Sequence, residues 1–273
     1  MQIFSRRFGP PARQVLGLLQ HPQPGKTPRA AFLMCRPFGQ EAVRTAPIYR
    51  AMSDRLAREG CFVLTIDYHG CGDSPGEPDD QALSDWASDA LAADAQLRAD
   101  APGLPRHWFA MGLGATSAAL AAQLSQPPAS CLVLWEPVED GPSYVERLLG
   151  AHRSELAREM QRPWHVLVSR GGEAEPVAPG SILGFPVGQK LHRELCELRE
   201  LPLRSIAQRG TRLVLAHRQS ELGRHADARI SSLTLHAVET ATDWLSIEAL
   251  GTAIVPQEIP RTLLATLAAT PHE

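Results

Sequence analysis

Residues Ala31–Gly76 read AFLMCRPFGQEAVRTAPIYRAMSDRLAREGCFVLTIDYHGCGDSPG, and the order of apolar runs and breakers in them decides the fold. Ala31–Cys35 is a short apolar run ended by Arg36-Pro37-Phe38-Gly39. Ile48, Met52 and Leu56 recur at helical spacing, and Gly60 follows as a residue suited to closing a helix. The spacing predicts a helix over Ile48–Glu59. Cys61–Ile66 is a continuous, partly β-branched apolar run, as a strand covered on both faces requires. Asp67–Gly76 supplies Gly70, Gly72 and Gly76 for a tight turn. Strand, helix and strand in this order predict a parallel pair with a right-handed crossover.

Working outward, Gln14–Gln20 and Ala31–Cys35 flank a Pro/Gly turn and predict an antiparallel hairpin. Gln81–Asp100 predicts a helix with Leu83, Trp86, Ala90, Leu91 and Leu97 near one stripe. His107–Met111 predicts a strand, Gly112-Leu113-Gly114 a turn, Ala115–Leu124 a helix and Cys131–Trp135 a buried strand. The alternation then breaks. Ser143–Gln161 predicts a charged helix, Trp164–Ser169 a strand, 171–180 a loop, and Gly184–Glu200 a loop and a helix. Thr211–His217 and Ser232–Val238 predict the last two strands, with a closing helix over Arg261–Ala269.

The expected architecture is α/β, a mostly parallel sheet of about eight strands with helices on both faces. Residues 1–137 and 204–273 would form the core, and 138–203 an inserted helical cap. Ligands of such sheets sit at the carboxyl ends of the strands. The loops 36–41, 67–76, 110–115 and 217–225 are therefore the candidate site.

Composition narrows the function classes. A formal charge of −3 over 273 residues gives no footprint for nucleic acid. Five cysteines, at 35, 61, 71, 131 and 196, form no CxxC pair, and the ten histidines are scattered. This argues against a disulfide framework and a metal site, and no cofactor motif is present. No apolar run approaches the ~18 residues of a membrane span, and no signal segment opens the chain. The expectation is a cytoplasmic protein whose partner is a small molecule.

The loop Asp67-x-x-Gly70-x-Gly72-x-Ser74-x-Gly76, followed by a strand, a sharp glycine turn and a small-residue helix, resembles the α/β-hydrolase fold. Three further segments resemble the serine-aminopeptidase-like branch, in particular the exosortase-A-system-associated hydrolase 2-like proteins. They are Arg36-Pro37-Phe38-Gly39-Gln40-Glu41, Val133–Val138 and Leu183–Val187. That resemblance implies a role beside exopolysaccharide or natural-product biosynthesis, with a biosynthetic protein as a possible partner.

A serine hydrolase of this fold carries its nucleophile on a G-x-S-x-G elbow, with a backbone N–H behind it to hold the oxyanion. Here Ala110–Gly114 falls on the elbow and places Gly112 at the nucleophile; the alternative frame places Gly114 there. Neither residue has a side chain with which to attack. The acid is expected after Thr211–Ala216, where His217 and Arg218 stand, with Glu221 beyond. The base is expected after Val238, yet the chain holds no histidine between His236 and His272. A triad needs all its members. The sequence thus favours a catalytically degenerate hydrolase homologue binding a small, acyl-bearing or anionic ligand. The alternative is an active hydrolase or acyltransferase on an ester, thioester or amide, using Ser117, Cys71, His69 or Glu221. Arg36, Phe38, Glu41, His69, Leu113 and Trp135 are the expected ligand contacts.

Overall fold

The computed structural model describes residues 2–77, 81–166, 180–225, 229–239, 244–245 and 256–268. The strands are β1 (Ile3–Phe8), β2 (Val15–Gln20), β3 (Ala30–Cys35), β4 (Cys61–Asp67), β5 (Arg106–Met111), β6 (Cys131–Trp135), β7 (Ser181–Ile182), β8 (Phe185–Pro186), β9 (Arg212–His217) and β10 (Leu233–Ala237). The helices are α1 (Gly39–Arg58), α2 (Leu83–Asp100), α3 (Gly112–Ala122), α4 (Gly141–Glu159), α5 (Gln189–Glu197), α6 (Leu203–Gln208), α7 (Gln219–Leu222) and α8 (Glu258–Ala268). Eight strands form one sheet in the order β1-β2-β4-β3-β5-β6-β9-β10. From β4 to β10 every pairing is parallel; β1 and β2 add an antiparallel edge.

The central strands β3, β5 and β6 are buried at every position, which explains the unbroken apolar runs of β3 and β6; β5 opens on Arg106 and His107 before its apolar Trp108–Met111. Side chains alternate between the two faces. Leu33 and Cys35 join Trp86, Ala90 and Leu97 of α2 and the small residues of α3. Phe32 and Met34 join Ile48, Met52 and Leu56 of α1 and Ile259 and Leu263 of α8. Helix α3 is buried over almost its whole surface, which its run of Gly, Ala, Ser and Thr permits.

Three sequence expectations are corrected. The hairpin partner of β2 is β1, not Ala31–Cys35, because both edges of β3 are taken by β4 and β5. Helix α1 starts at Gly39, well before Ile48, and carries Pro47 inside it. A proline usually marks the first turn of a helix, so the apolar spacing after it read as the beginning. Residues 164–166 form a helical turn instead of opening a strand. Residues 167–169 and most of the expected 171–180 loop lie outside the described residues. Between β6 and β9 the chain leaves the sheet to form α4, the β7–β8 hairpin, α5 and α6. Tyr144, Ile182, Leu191 and Leu195 tie this block to the larger core.

His107 on β5 is fully buried and stacks on Phe32 at 4.9 Å. Burial, and then Arg212, pulls its pKa from 6.5 down to about 4. A folded-state pKa below the unfolded one means stability is fully present above pH 6.5 and lost as pH falls through about 4. The expected loss at the lower pH is about 2–3 kcal/mol. Urea unfolding across this range should show it, and His107→Gln should flatten the profile. An unchanged profile in the variant would assign the acid sensitivity elsewhere.

Candidate functional site

A cavity of about 400 Å³ opens at the carboxyl ends of β5, β6 and β9, roofed by α4 and bordered by α1. At its floor β5 passes into α3 without an intervening loop, and the turn residue is Gly112 at φ +53°. This left-handed conformation suits glycine and strains other residues. A Cβ at this position would lie 2.6 Å from Glu41 Oε2 and 3.4 Å from Pro37 Cβ. The space above the turn is thus held by the Glu41 carboxylate. Gly114 is needed for a different reason: a Cβ there would run into the carbonyl oxygen of Arg36.

Glu41 is only 7% exposed. It sits in the first turn of α1, where the positive end of the helix favours a carboxylate. Thr45 Oγ1 donates to the Glu41 carbonyl oxygen at 2.7 Å. Beside it is Tyr144 of α4, whose phenol is pushed well above its usual range by burial and then by the charge of Glu41. Tyr144 is therefore a neutral phenol at any ordinary pH. Trp135, at the end of β6, and Trp244 complete an aromatic wall.

The rim is charged and mostly paired. Arg218 Nε donates to Glu136 Oε1 at 3.0 Å, and Arg224 faces Glu221 at 3.2 Å. His225 Nε2 lies 2.9 Å from both oxygens of Glu139. Burial raises the Glu139 pKa, against the opposing pull of His225. His217 ends β9, where the acid was expected. Its Nδ1 accepts the Arg218 N–H at 2.9 Å, and burial lowers its pKa. Asp140 caps α4 by accepting the Ser143 N–H at 2.9 Å, which lowers its pKa.

Sequence reasoning missed Glu139, Asp140, Tyr144 and Arg147, and included His225 in the loop 217–225 without giving it a role. The first two follow the end of β6, so the rule that placed the other loops at the site extended to them. Nothing local in the sequence pairs His225 with Glu139.

A second cavity, of about 350 Å³, lies between the Asp67–Gly72 turn and the β7–β8 hairpin. Phe38 stands 5.4 Å from Trp86 and 6.3 Å from Phe185, and Tyr68 stacks on Trp86 at 5.3 Å. Arg36 lines this cavity and pairs with Asp67 at 2.7 Å, so it brings no cation to Gly112. Asp67 also accepts the Asp73 N–H of its own turn at 3.1 Å.

The fold therefore divides the expected contacts. Glu41, Trp135 and Glu221 join Gly112 in the first cavity; Arg36, Phe38 and Cys71 line the second. The Cys71 thiol is pushed up to about 12, first by burial and then by Asp67 and Asp89, so it is not an activated thiolate. His69 lines neither cavity: Nδ1 lies 2.9 Å from the Gln14 carbonyl oxygen, and its N–H donates to Asp89 at 3.0 Å. Ser117 and Leu113 are 0% exposed within α3 and also line neither. His236, on β10, tilts against Trp135 at 6.1 Å. Residues 240–243 of the loop after β10, and His272, lie outside the described residues. Among the described residues no group of three or more His, Cys, Asp and Glu is placed to hold a metal. Nor is any described helix long and apolar enough to cross a membrane.

A mostly parallel eight-stranded sheet with a cavity over a strand–glycine–helix turn defines an α/β-hydrolase fold. The chain belongs to the serine aminopeptidase, S33, family, which it matches over residues 26–175. No curated protein sequence matches it. Among solved structures it is similar to Est1E from Butyrivibrio proteoclasticus with ferulic acid bound, at 12% identity and a TM-score of 0.61, over 97% of this chain and 100% of that one. A thermostable carboxyl esterase from Bacillus coagulans in complex with glycerol is similar at 14% identity and a TM-score of 0.60, over 97% and 98% of the two chains. Proline iminopeptidase from Mycobacterium smegmatis is similar at 13% identity and a TM-score of 0.59, over 97% and 98%. At these identities the likeness is one of fold.

Proposed function

We propose that this chain is a hydrolase homologue that binds a small molecule in the Gly112 cavity and performs no triad hydrolysis. One observation carries the reading: the strand-to-helix turn is Gly112 at φ +53°, and a carboxylate fills the room a side chain there would need. Gly112 stands in the nucleophile's place and cannot form an acyl-enzyme. Residues 138–203 serve as the cap, a reading supported by Tyr144 and Arg147 on the first cavity and Phe185 on the second. The resemblance of Arg36–Glu41, Val133–Val138 and Leu183–Val187 to exosortase-associated proteins supports a ligand from exopolysaccharide or natural-product biosynthesis.

The test is a fluorophosphonate probe read by intact mass, alongside turnover of 4-nitrophenyl butyrate. The expected result is an unmodified mass and turnover no faster than buffer. A stoichiometric adduct lost on Ser117→Ala, or any saturable turnover, would overturn the reading.

A further inference from the structure

The Gly112 cavity is acidic. Five carboxylates line it against three guanidinium groups. Two of each are paired with one another, Arg218 with Glu136 and Arg224 with Glu221, which leaves Glu41, Asp140 and Glu139, the last beside His225, against one arginine. The third, Arg147, places Cζ 5.4 Å from the centre of the Tyr144 ring. His217 adds no compensating charge, because burial holds it toward the neutral form. A cavity lined by an excess of one sign draws a ligand of the other.

The deepest of these carboxylates is Glu41, at the floor over Gly112 in a cavity that Trp135, Tyr144 and Trp244 also line, with Tyr144 beside it. Aromatic faces attract cations, and the Tyr144 ring already carries one. A carboxylate facing aromatic walls is the arrangement that recognises an organic ammonium or amidinium group. An ester carbonyl, which needs donors aimed at its oxygen, finds an acceptor here instead.

We propose that the Gly112 cavity is a site for an organic cation, with Glu41 as the residue that selects it. The inference rests on the ligand-binding reading above and names the chemistry of that ligand. It also gives the glycine a purpose. A residue with a Cβ at position 112 would displace the Glu41 carboxylate, so Gly112 and Glu41 form one unit.

Calorimetric titration of the full chain with three probes of one shape, benzylammonium, benzyl alcohol and phenylacetate, tests this. Benzylammonium is expected to bind at least tenfold more tightly than the other two, and less tightly as salt rises. Glu41→Gln should bring the three within about threefold of one another, the loss expected when a charged partner is replaced. Glu41→Asp, which keeps the charge, should retain the order, and unaltered melting curves would show that both variants fold. The inference is overturned if phenylacetate or benzyl alcohol binds as well as benzylammonium, if Glu41→Gln keeps the preference, or if no probe binds below about 10 mM. Binding of the neutral or anionic probe would still leave a ligand cavity, so the earlier reading would stand. A fluorophosphonate adduct would sink that reading whichever probe binds.

Discussion

Gly112→Ser is expected to cost about 2–5 kcal/mol of stability and to yield no esterase. The conformational part arises because Gly112 has φ +53°, where an L-residue is strained. The steric part arises because the new Cβ would stand 2.6 Å from Glu41 Oε2, so the buried carboxylate must move. Even with an Oγ in place, the loop after β10 has no histidine, since none occurs between His236 and His272. A serine hydroxyl without the histidine of a triad is a weak nucleophile. Urea unfolding gives the first number, and 4-nitrophenyl butyrate turnover the second. Adding Glu41→Ala should recover the steric part of the loss and leave the conformational part. Turnover by Gly112→Ser approaching that of an ordinary esterase would show that a base lies where none is assigned.

Asp94→Ala is expected to cost about 3–5 kcal/mol, through a different mechanism. Asp94 is 2% exposed and Arg106 is 6% exposed. Both Asp94 oxygens accept from Arg106 Nη1, and Oδ1 also accepts from Trp108 Nε1 at 3.0 Å. Arg106 Nη2 in turn donates to the carbonyls of Pro127 at 2.6 Å and Pro128 at 3.1 Å. The cluster thus pins α2, β5 and the loop before β6 together behind the cavity. Removing the carboxylate leaves a guanidinium buried without its countercharge and an indole N–H without an acceptor. Arg106→Met with Asp94→Leu should recover much of the loss, since an apolar pair leaves no stranded charge. A loss below about 1 kcal/mol for Asp94→Ala would mean that water reaches Arg106.

How far each feature could be read depended on how local its cause was. Strands β3 and β6 were legible because burial on both faces demands unbroken apolar runs, and β5 from its apolar Trp108–Met111. Strand β1 was missed: Ile3–Phe8 is an edge with mostly exposed positions and two arginines, and carries no burial pattern. The start of α1 was hidden by Pro47, whose place inside the helix the tertiary contacts of Glu41 and Thr45 override. At the site, the bare strand-to-helix turn was legible from Gly112 alone, since glycine has no side chain in any fold.

By itself, the sequence determined a parallel α/β sheet, a glycine at the strand-to-helix turn, and a chain without a histidine between His236 and His272. These follow from short-range periodicity and from residue identity. Only the tertiary structure decided how the candidate contacts divide. Arg36 and Glu41 are near neighbours in sequence, yet one pairs with Asp67 at the second cavity and the other covers Gly112 in the first. Residue 36 precedes α1, and residue 41 lies in its first turn, so the start of the helix sends the two side chains to opposite sides of Pro37, which lines both cavities. The balance of charge around Gly112 depends on that division.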